Sequence, residues 1–473
     1  MLKGNLKWLE PELMDVVRLF EGAEALDIEY ASLCEGASFC NRFTINGQER
    51  AFENTDIAAS ETERKSLVKR YAKLALYKLL SEFFKKTLPW GSLTGIRPTR
   101  LAYAQREKTG EFESFFRELG VSGENVSLTA RVIEGQRGVY ERKEGNCDLF
   151  VSLPFCPTKC VYCSFITAPI AATRRYMPQY LAALKRELEA AEPLIKNLRS
   201  VYIGGGTPFA LEAEELEEVL KIVAPLRQNG CEYTVEAGRP DTFTKEKLEL
   251  CRRYGVTRIC INAQSFSNRT LEAIGRKHTA EEVINAFEMA RPYGFDINCD
   301  LIAGLTGESL EEFENSVDTA ICLAPANITV HTLCLKKGAK LKEETATLSE
   351  GGMRRPPHTF CVEGGTRNEV ASMIAYARQK LTAAGYEPYY LYRQKYMAGA
   401  HENVGWTKPN KACVYNVDVM EESADNLAVG ANAISKRVIL GQGRIERVGS
   451  PKDIPTYLEK VEKLIEEKNK LFC

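Results

Sequence analysis

The sequence predicts an α/β protein built around a partial (β/α)6 barrel, and three observations carry that prediction. From about residue 147, six short β-branched runs alternate with amphipathic helical stretches. Such alternation builds a parallel sheet with right-handed crossovers. Three cysteines spaced C-x3-C-x2-C follow the first run, and three consecutive glycines follow the second. Both motifs fall at the C-terminal ends of their strands, where barrels of this kind carry their chemistry.

Before those runs, residues 1–145 carry no recognisable chemistry and read as an N-terminal extension, α-rich or α+β. Ser60–Glu63 has the form of a capping box opening a helix that runs to about Lys86. Leu67, Tyr71, Leu74, Ala75, Leu79 and Phe83 recur at helical spacing as its expected buried stripe. Trp90–Arg100 is punctuated by Gly91, Gly95 and Pro98 and reads as a turn. Its two arginines could alternatively hold a carboxylate. A short helix is expected over Glu111–Leu119, and the polar stretch Gly120–Asn125 reads as a linker.

The central domain, 146–345, follows. Strands are expected at 148–153, 199–203, 232–236, 257–262, 296–302 and 327–334. Helices are expected at 178–196, 212–226, 244–254, 279–291 and 308–323. The short apolar strands suit burial on both faces. Cys156, Cys160 and Cys163 then occupy the loop after the first strand. Thiolates suit iron–sulfur clusters and zinc. A closed zinc site wants a fourth ligand, yet Ser164 and Phe165 come next and the nearest histidine is His278. Three thiolates on a four-iron cluster leave one iron open, as a catalytic site does.

The second motif is Tyr202–Ile203–Gly204–Gly205–Gly206–Thr207–Pro208. Consecutive glycines let the backbone approach a ligand with no side chain in the way. Later strand ends supply Val235–Glu236–Ala237, Ala263–Gln264–Ser265–Phe266, the run Ile274–His278 after a short helix, and Asn298–Leu305. Together these residues resemble the radical S-adenosylmethionine superfamily. The GGGTP form resembles its oxygen-independent coproporphyrinogen III oxidase (dehydrogenase) family, in the longer branch with an N-terminal extension. The resemblance is strong over about 147–335 and looser over 366–440.

The resemblance implies a six-unit radical-SAM barrel, a [4Fe–4S] cluster on Cys156, Cys160 and Cys163, and S-adenosyl-L-methionine on the open iron. It implies cofactor-binding roles for Phe150, Tyr162, Gly205, Gly206, Thr207, Glu236, Gln264, Arg276 and Asp300, with Asp300 suited to ribose hydroxyls. The implied activity is radical decarboxylation of coproporphyrinogen III propionates to vinyl groups, giving protoporphyrinogen IX. A heme-carrying protein on the same scaffold, or an enzyme for another tetrapyrrole, is the alternative. The implied partners are a tetrapyrrole and a flavodoxin- or ferredoxin-type electron donor. Two departures bear on the substrate. Ser164–Phe165 replaces a further cysteine, and Phe150 and Ser152 stand where the decarboxylating enzymes tend to have tyrosine and histidine.

The C-terminal part, 346–473, opens on the polar stretch Ser349–Gly365 and continues with a helix near Arg367–Ala384. Tyr386–Lys395 sets four tyrosines beside two cations, which suits either a tetrapyrrole with propionates or an aromatic core strand. Ala428–Ser435 resembles a small-residue segment found late in the family, and Asp453–Lys470 reads as a charged, peripheral helix.

Composition narrows the function classes. Of the 473 residues 44% are hydrophobic and 27% charged, ordinary values for a globular protein of two or three domains. A net charge of −1 gives no long-range pull toward nucleic acid or a membrane surface. No apolar run of about 20 residues is present, and a cytoplasmic location is expected. Fifteen cysteines, an odd number, favour free thiols and metal ligands over disulfides.

Overall fold

The computed structural model describes residues 2–94, 97–165, 167–334, 367–394, 401–440 and 444–473. They fall into two compact units, one of residues up to 130 with 392–402, the other of 131 onward with the rest.

The first unit is α+β. Strands β1 (Leu2–Gly4), β2 (Ile28–Glu35), β3 (Ser38–Ile45) and β4 (Gln48–Thr55) form one sheet in that order. The β2–β3–β4 meander was not anticipated, although Asn46–Gly47, both at positive φ, is a strong hairpin signal. The helix Glu61–Phe84 is capped at Ser60, whose hydroxyl accepts from the Glu63 N–H at 3.2 Å. Its buried stripe includes Leu67, Leu74, Ala75 and Leu79. Phe83 points outward at 50% exposure, and Phe84 instead stacks on Phe20 at 5.7 Å. Helical registers drift by about 20° per seven residues, so a stripe read from one end misassigns the other. Of the Trp90–Arg100 turn, Gly95 and Ile96 lie outside the described residues, and Arg100 sits in the first turn of the helix Pro98–Thr109. Trp90 donates to Glu402 at 2.8 Å, and Arg393 donates to the Leu93 carbonyl at 2.5 Å.

The second unit holds the expected alternation. Its parallel strands are β5 (Asn146–Ser152), β8 (Asn197–Gly204), β9 (Glu232–Gly238), β10 (Arg258–Ile261), β11 (Asp296–Ala303) and β12 (Asn327–Thr332), paired in that order. Between β5 and β8 lie two-residue strands β6 (Phe155–Cys156) and β7 (Ala168–Pro169). The helices Met177–Ala191, Ala213–Val223, Lys245–Arg253, Ala280–Ala290 and Leu310–Leu323 follow the strands as expected. Capping boxes at Glu212, Thr279 and Ser309 fix three of their starts.

The sheet extends further than the six units. Beyond β12 lie β14 (Asn403–Thr407), antiparallel, and β13 (Glu387–Tyr392). On the other side β15 (Asp425–Val429) runs parallel to β5, followed by antiparallel β16 (Ile434–Ile439) and β17 (Arg444–Gly449). The small-residue segment therefore pairs directly with the strand that leads into the cysteine loop. Ser349–Gly365 lies outside the described residues, as does Lys395.

The last helix, Ile454–Phe472, is not peripheral. Ile454, Tyr457, Val461, Leu464, Lys468 and Leu471 form a buried stripe. Lys468 makes a buried ion pair with Glu187, which also accepts from the Tyr457 hydroxyl at 2.8 Å and the Gly430 N–H at 2.7 Å. Its charge-rich composition hid this face because a lysine at a buried position needs a carboxylate from a different helix. Lys468→Ala is expected to cost about 3–5 kcal/mol in urea unfolding, since it strands a buried charge. Lys463→Ala, which breaks an exposed pair with Glu467, should change stability by less than about 0.5 kcal/mol.

Candidate metallocofactor site

The cysteine loop is nearly bare of regular structure, and the ends of neighbouring strands hold it. The three cysteines lie close together: Cys160 raises the thiol pKa of Cys156, and Cys160 and Cys156 both raise that of Cys163. Burial, then the charges of Cys160 and Cys156, push the Cys163 thiol up to about 11, opposed by the Phe165 backbone N–H. Burial also raises Cys156, against lowering hydrogen bonds from Thr207 and Thr167. Among the described residues no three such side chains converge on a single metal ion. A four-iron cluster spreads its thiolates over different irons, and its positive irons relieve three crowded thiolates.

Thr207, expected at the cofactor, donates its hydroxyl to Cys156 Sγ at 3.5 Å, and its N–H reaches the Phe155 carbonyl at 2.7 Å. Gly205 has φ +93, which favours glycine. The absent Cβ of Gly206 would stand 2.5 Å from the Phe155 carbonyl and 2.7 Å from that of Leu153. The glycine run therefore lets the β8 end close against the cysteine loop, a backbone contact that the sequence did not reveal.

Glu236, near the end of β9, is half-buried and accepts from Asn262 Nδ2 at 3.3 Å, with further bonds from Tyr202 and the Gly205 N–H. Burial, then the nearby Asp300 carboxylate, raise it to about 7. Its charge is felt at Cys156, so the carboxylate and the cysteine loop share one neighbourhood. Asp300, on β11, lies 3.6 Å from His331 Nε2. Gln264 adopts φ +69, a left-handed conformation rare for its type. Backbone bonds to Asp300 (2.7 Å) and Ile302 (3.0 Å) hold it there. The buried Gln264 Oε1, Asn262 Oδ1 and Arg276 Nε have no protein partner. Unmatched polar atoms at strand ends suit a polar ligand such as S-adenosylmethionine.

Arg276 turns toward the loop. It donates to the carbonyls of Asn262 and Ala263 and also reaches Cys160 and Tyr162. Tyr162 is thereby placed on the loop beside that guanidinium. Phe150, on β5, stacks with Tyr202 at 6.2 Å and with Tyr415 at 6.1 Å; Tyr202 and Tyr415 lie 4.5 Å apart. Tyr415 carries no local sequence signal and arrives through the chain's return. Ser152 donates to the Ala431 carbonyl at 2.7 Å and is buried, so its hydroxyl serves the fold.

The run 386–392 reads differently in the structure. Tyr386, Tyr389 and Tyr390 are buried, and their hydroxyls bond Pro325, Asn416 and Thr329. The aromatic core strand, not an open tetrapyrrole platform, describes these three. Arg239 and Asp241, just past β9, were missed; a charged pair immediately after Glu236 was the available signal.

The radical SAM superfamily pattern matches residues 150–320, the stretch that carries this site. The oxygen-independent coproporphyrinogen-III oxidase-like protein HemZ of Bacillus subtilis is 35% identical over 442 residues, covering 90% of this chain and 85% of its own. The heme chaperone HemW of the same organism is 30% identical over 246 residues, 51% of this chain and 61% of that protein. The fold matches that of coproporphyrinogen III oxidase (HemN) from Escherichia coli at TM-score 0.52 and 20% identity, covering 72% of this chain and 73% of that one. The chain therefore belongs to the radical SAM superfamily, as a relative of the HemZ protein. The cofactors of that superfamily are a [4Fe–4S] cluster and S-adenosylmethionine.

Two measurements test the site. Gly206→Val should lower iron content after anaerobic reconstitution as well as S-adenosylmethionine affinity, because the new side chain strikes the backbone beside Cys156; full iron content would contradict the packing. In the metal-free protein, Glu236→Gln should raise stability by up to about 3 kcal/mol near pH 8. The cost it removes grows as pH rises from the unfolded carboxyl value through the folded value of about 7, so the gain should vanish near pH 4.

Proposed function

We propose that this protein is an oxygen-independent, radical S-adenosylmethionine enzyme of tetrapyrrole metabolism that converts coproporphyrinogen III propionates to vinyl groups, yielding protoporphyrinogen IX. The observation that carries the reading is the meeting of Cys156, Cys160 and Cys163 with Glu236, Asn262, Gln264 and Asp300 at the ends of consecutive strands. Bound there, the cluster and S-adenosylmethionine supply one-electron cleavage of a sulfonium and, from it, abstraction of a substrate hydrogen atom. Cys156, Cys160 and Cys163 would hold the cluster. Glu236 and the Gly205–Gly206 backbone accept and orient the ligand's amino end, and Asp300 and Gln264 its ribose. Phe150, Tyr202 and Tyr415 offer aromatic faces against which a flat substrate can lie. At the substrate, a hydrogen atom leaves the propionate β-carbon, carbon dioxide departs, and the remaining electron passes to an acceptor. A flavodoxin- or ferredoxin-type protein is the proposed electron donor.

One observation favours a heme-carrying role instead. Phe150 has no hydroxyl and the Ser152 hydroxyl is spent on Ala431, so neither can orient a substrate as tyrosine and histidine would. Misplacement near a reacting centre is costly in rate.

The test is anaerobic incubation of reconstituted protein with S-adenosylmethionine, reductant and coproporphyrinogen III. The expected outcome is 5′-deoxyadenosine together with a porphyrinogen lacking carbon dioxide and two hydrogens at each of two propionates. Deoxyadenosine with unchanged porphyrinogen would keep the enzyme class and overturn the substrate. Tight stoichiometric heme binding without any vinyl product would establish the carrier.

A further inference from the structure

We propose that Arg239 is a positioning residue for the iron–sulfur cluster, holding the stretch between Cys156 and Cys160 through the hydroxyl of Thr158. The proposal rests on the reading of this loop as the cluster site. Arg239 is 2% exposed, and a guanidinium so deeply buried requires a counter-charge. Asp241 supplies it in a two-pronged pair, accepting from Nε at 2.9 Å and Nη2 at 2.7 Å. With that pair complete, Arg239 directs Nη1 to Thr158 Oγ1 at 2.5 Å, across to the cysteine loop.

Both ends of the arginine are fixed. Its N–H donates to the Ala237 carbonyl at 3.1 Å, and its own carbonyl accepts from the Thr242 hydroxyl at 2.7 Å. The guanidinium therefore cannot follow the loop; the loop must follow it. Of the three residues between Cys156 and Cys160, Pro157 lacks an N–H and Lys159 is exposed, which leaves Thr158 as the inward anchor. Further on, the Val161 N–H donates to the Ile274 carbonyl at 3.1 Å. Thr158 and Val161 thus bracket Cys160 from two different strand–helix units. Partners standing behind metal ligands commonly govern how tightly the metal is kept.

Thr158→Val removes the hydroxyl alone, and Arg239→Lys keeps the charge for Asp241 without the fork that spans both partners. After anaerobic reconstitution each variant should bind about four irons yet release them to a chelator about tenfold faster than wild type, or more. The double variant should release iron no faster than either single one, because both remove the same bond. The change that S-adenosylmethionine induces in the electron paramagnetic resonance signal of the reduced cluster should also weaken. Thr329→Val removes a buried hydroxyl bond to Tyr390 that touches neither Arg239 nor the loop, so it should lower Tm while leaving iron release unchanged. Wild-type release from Thr158→Val, additive effects in the double variant, or equal acceleration by Thr329→Val would each overturn the proposal. A wild-type protein that holds no four-iron cluster would overturn the reading of the loop and the proposal with it.

Discussion

A loop with almost no secondary structure of its own must present three thiols, and the rest of the second unit is arranged to hold it. Thr207 at the β8 end bonds Cys156, Arg239 at the β9 end bonds Thr158, and Ile274 and Arg276 after β10 bond Val161, Cys160 and Tyr162. The anchors come from three different strand–helix units. Parallel strands in register deliver their C-terminal ends to one side, so successive units can each reach the same loop. Gly206 is required for the same reason, because any side chain there would push β8 off Phe155.

The opposite end of the strands is closed by buried charge. Arg258 donates to Asn298 at 2.8 Å, to Asn327 and to the Lys411 carbonyl at 2.9 Å, and pairs with Glu232 at 3.0 Å. Arg199 pairs with Asp418 at 2.6 Å and with Glu141 at 2.8 Å. Burying these groups costs free energy unless every partner is present, so the return of residues 411–418 over the strand starts is tightly specified. That return delivers Tyr415 to Tyr202 and completes the ring stack with Phe150. The aromatic wall beside Glu236 therefore depends on ion pairs at the far end of the sheet.

Tyrosines serve two different ends in this chain. Those of β13 are consumed by packing and by hydroxyl bonds inside the core. Tyr202 and Tyr415 stand partly accessible on the same face as Glu236, with Tyr202 bonded to that carboxylate. The tyrosine-rich run was the more conspicuous signal in the sequence, but the scattered pair stands at the site.

Local pattern alone determined much of the second unit. The strand–helix alternation, the cysteine spacing and the glycine run are short-range features, and each follows from periodicity or from the chemistry of a few adjacent residues. Ordering Glu236, Gln264, Arg276 and Asp300 after successive strands was likewise legible, because a parallel sheet turns order along the chain into neighbourhood in space. The tertiary structure decided what depends on pairs distant in sequence. Arg239 meets Thr158 across 81 residues, Glu187 meets Lys468 across 281, and β15 lies beside β5. It also turned Gly206 and Thr207 toward the cysteine loop and gave the last helix a buried face. No window of sequence contains both partners of such contacts, and the free energy that makes a buried arginine or lysine tolerable lies wholly in the partner.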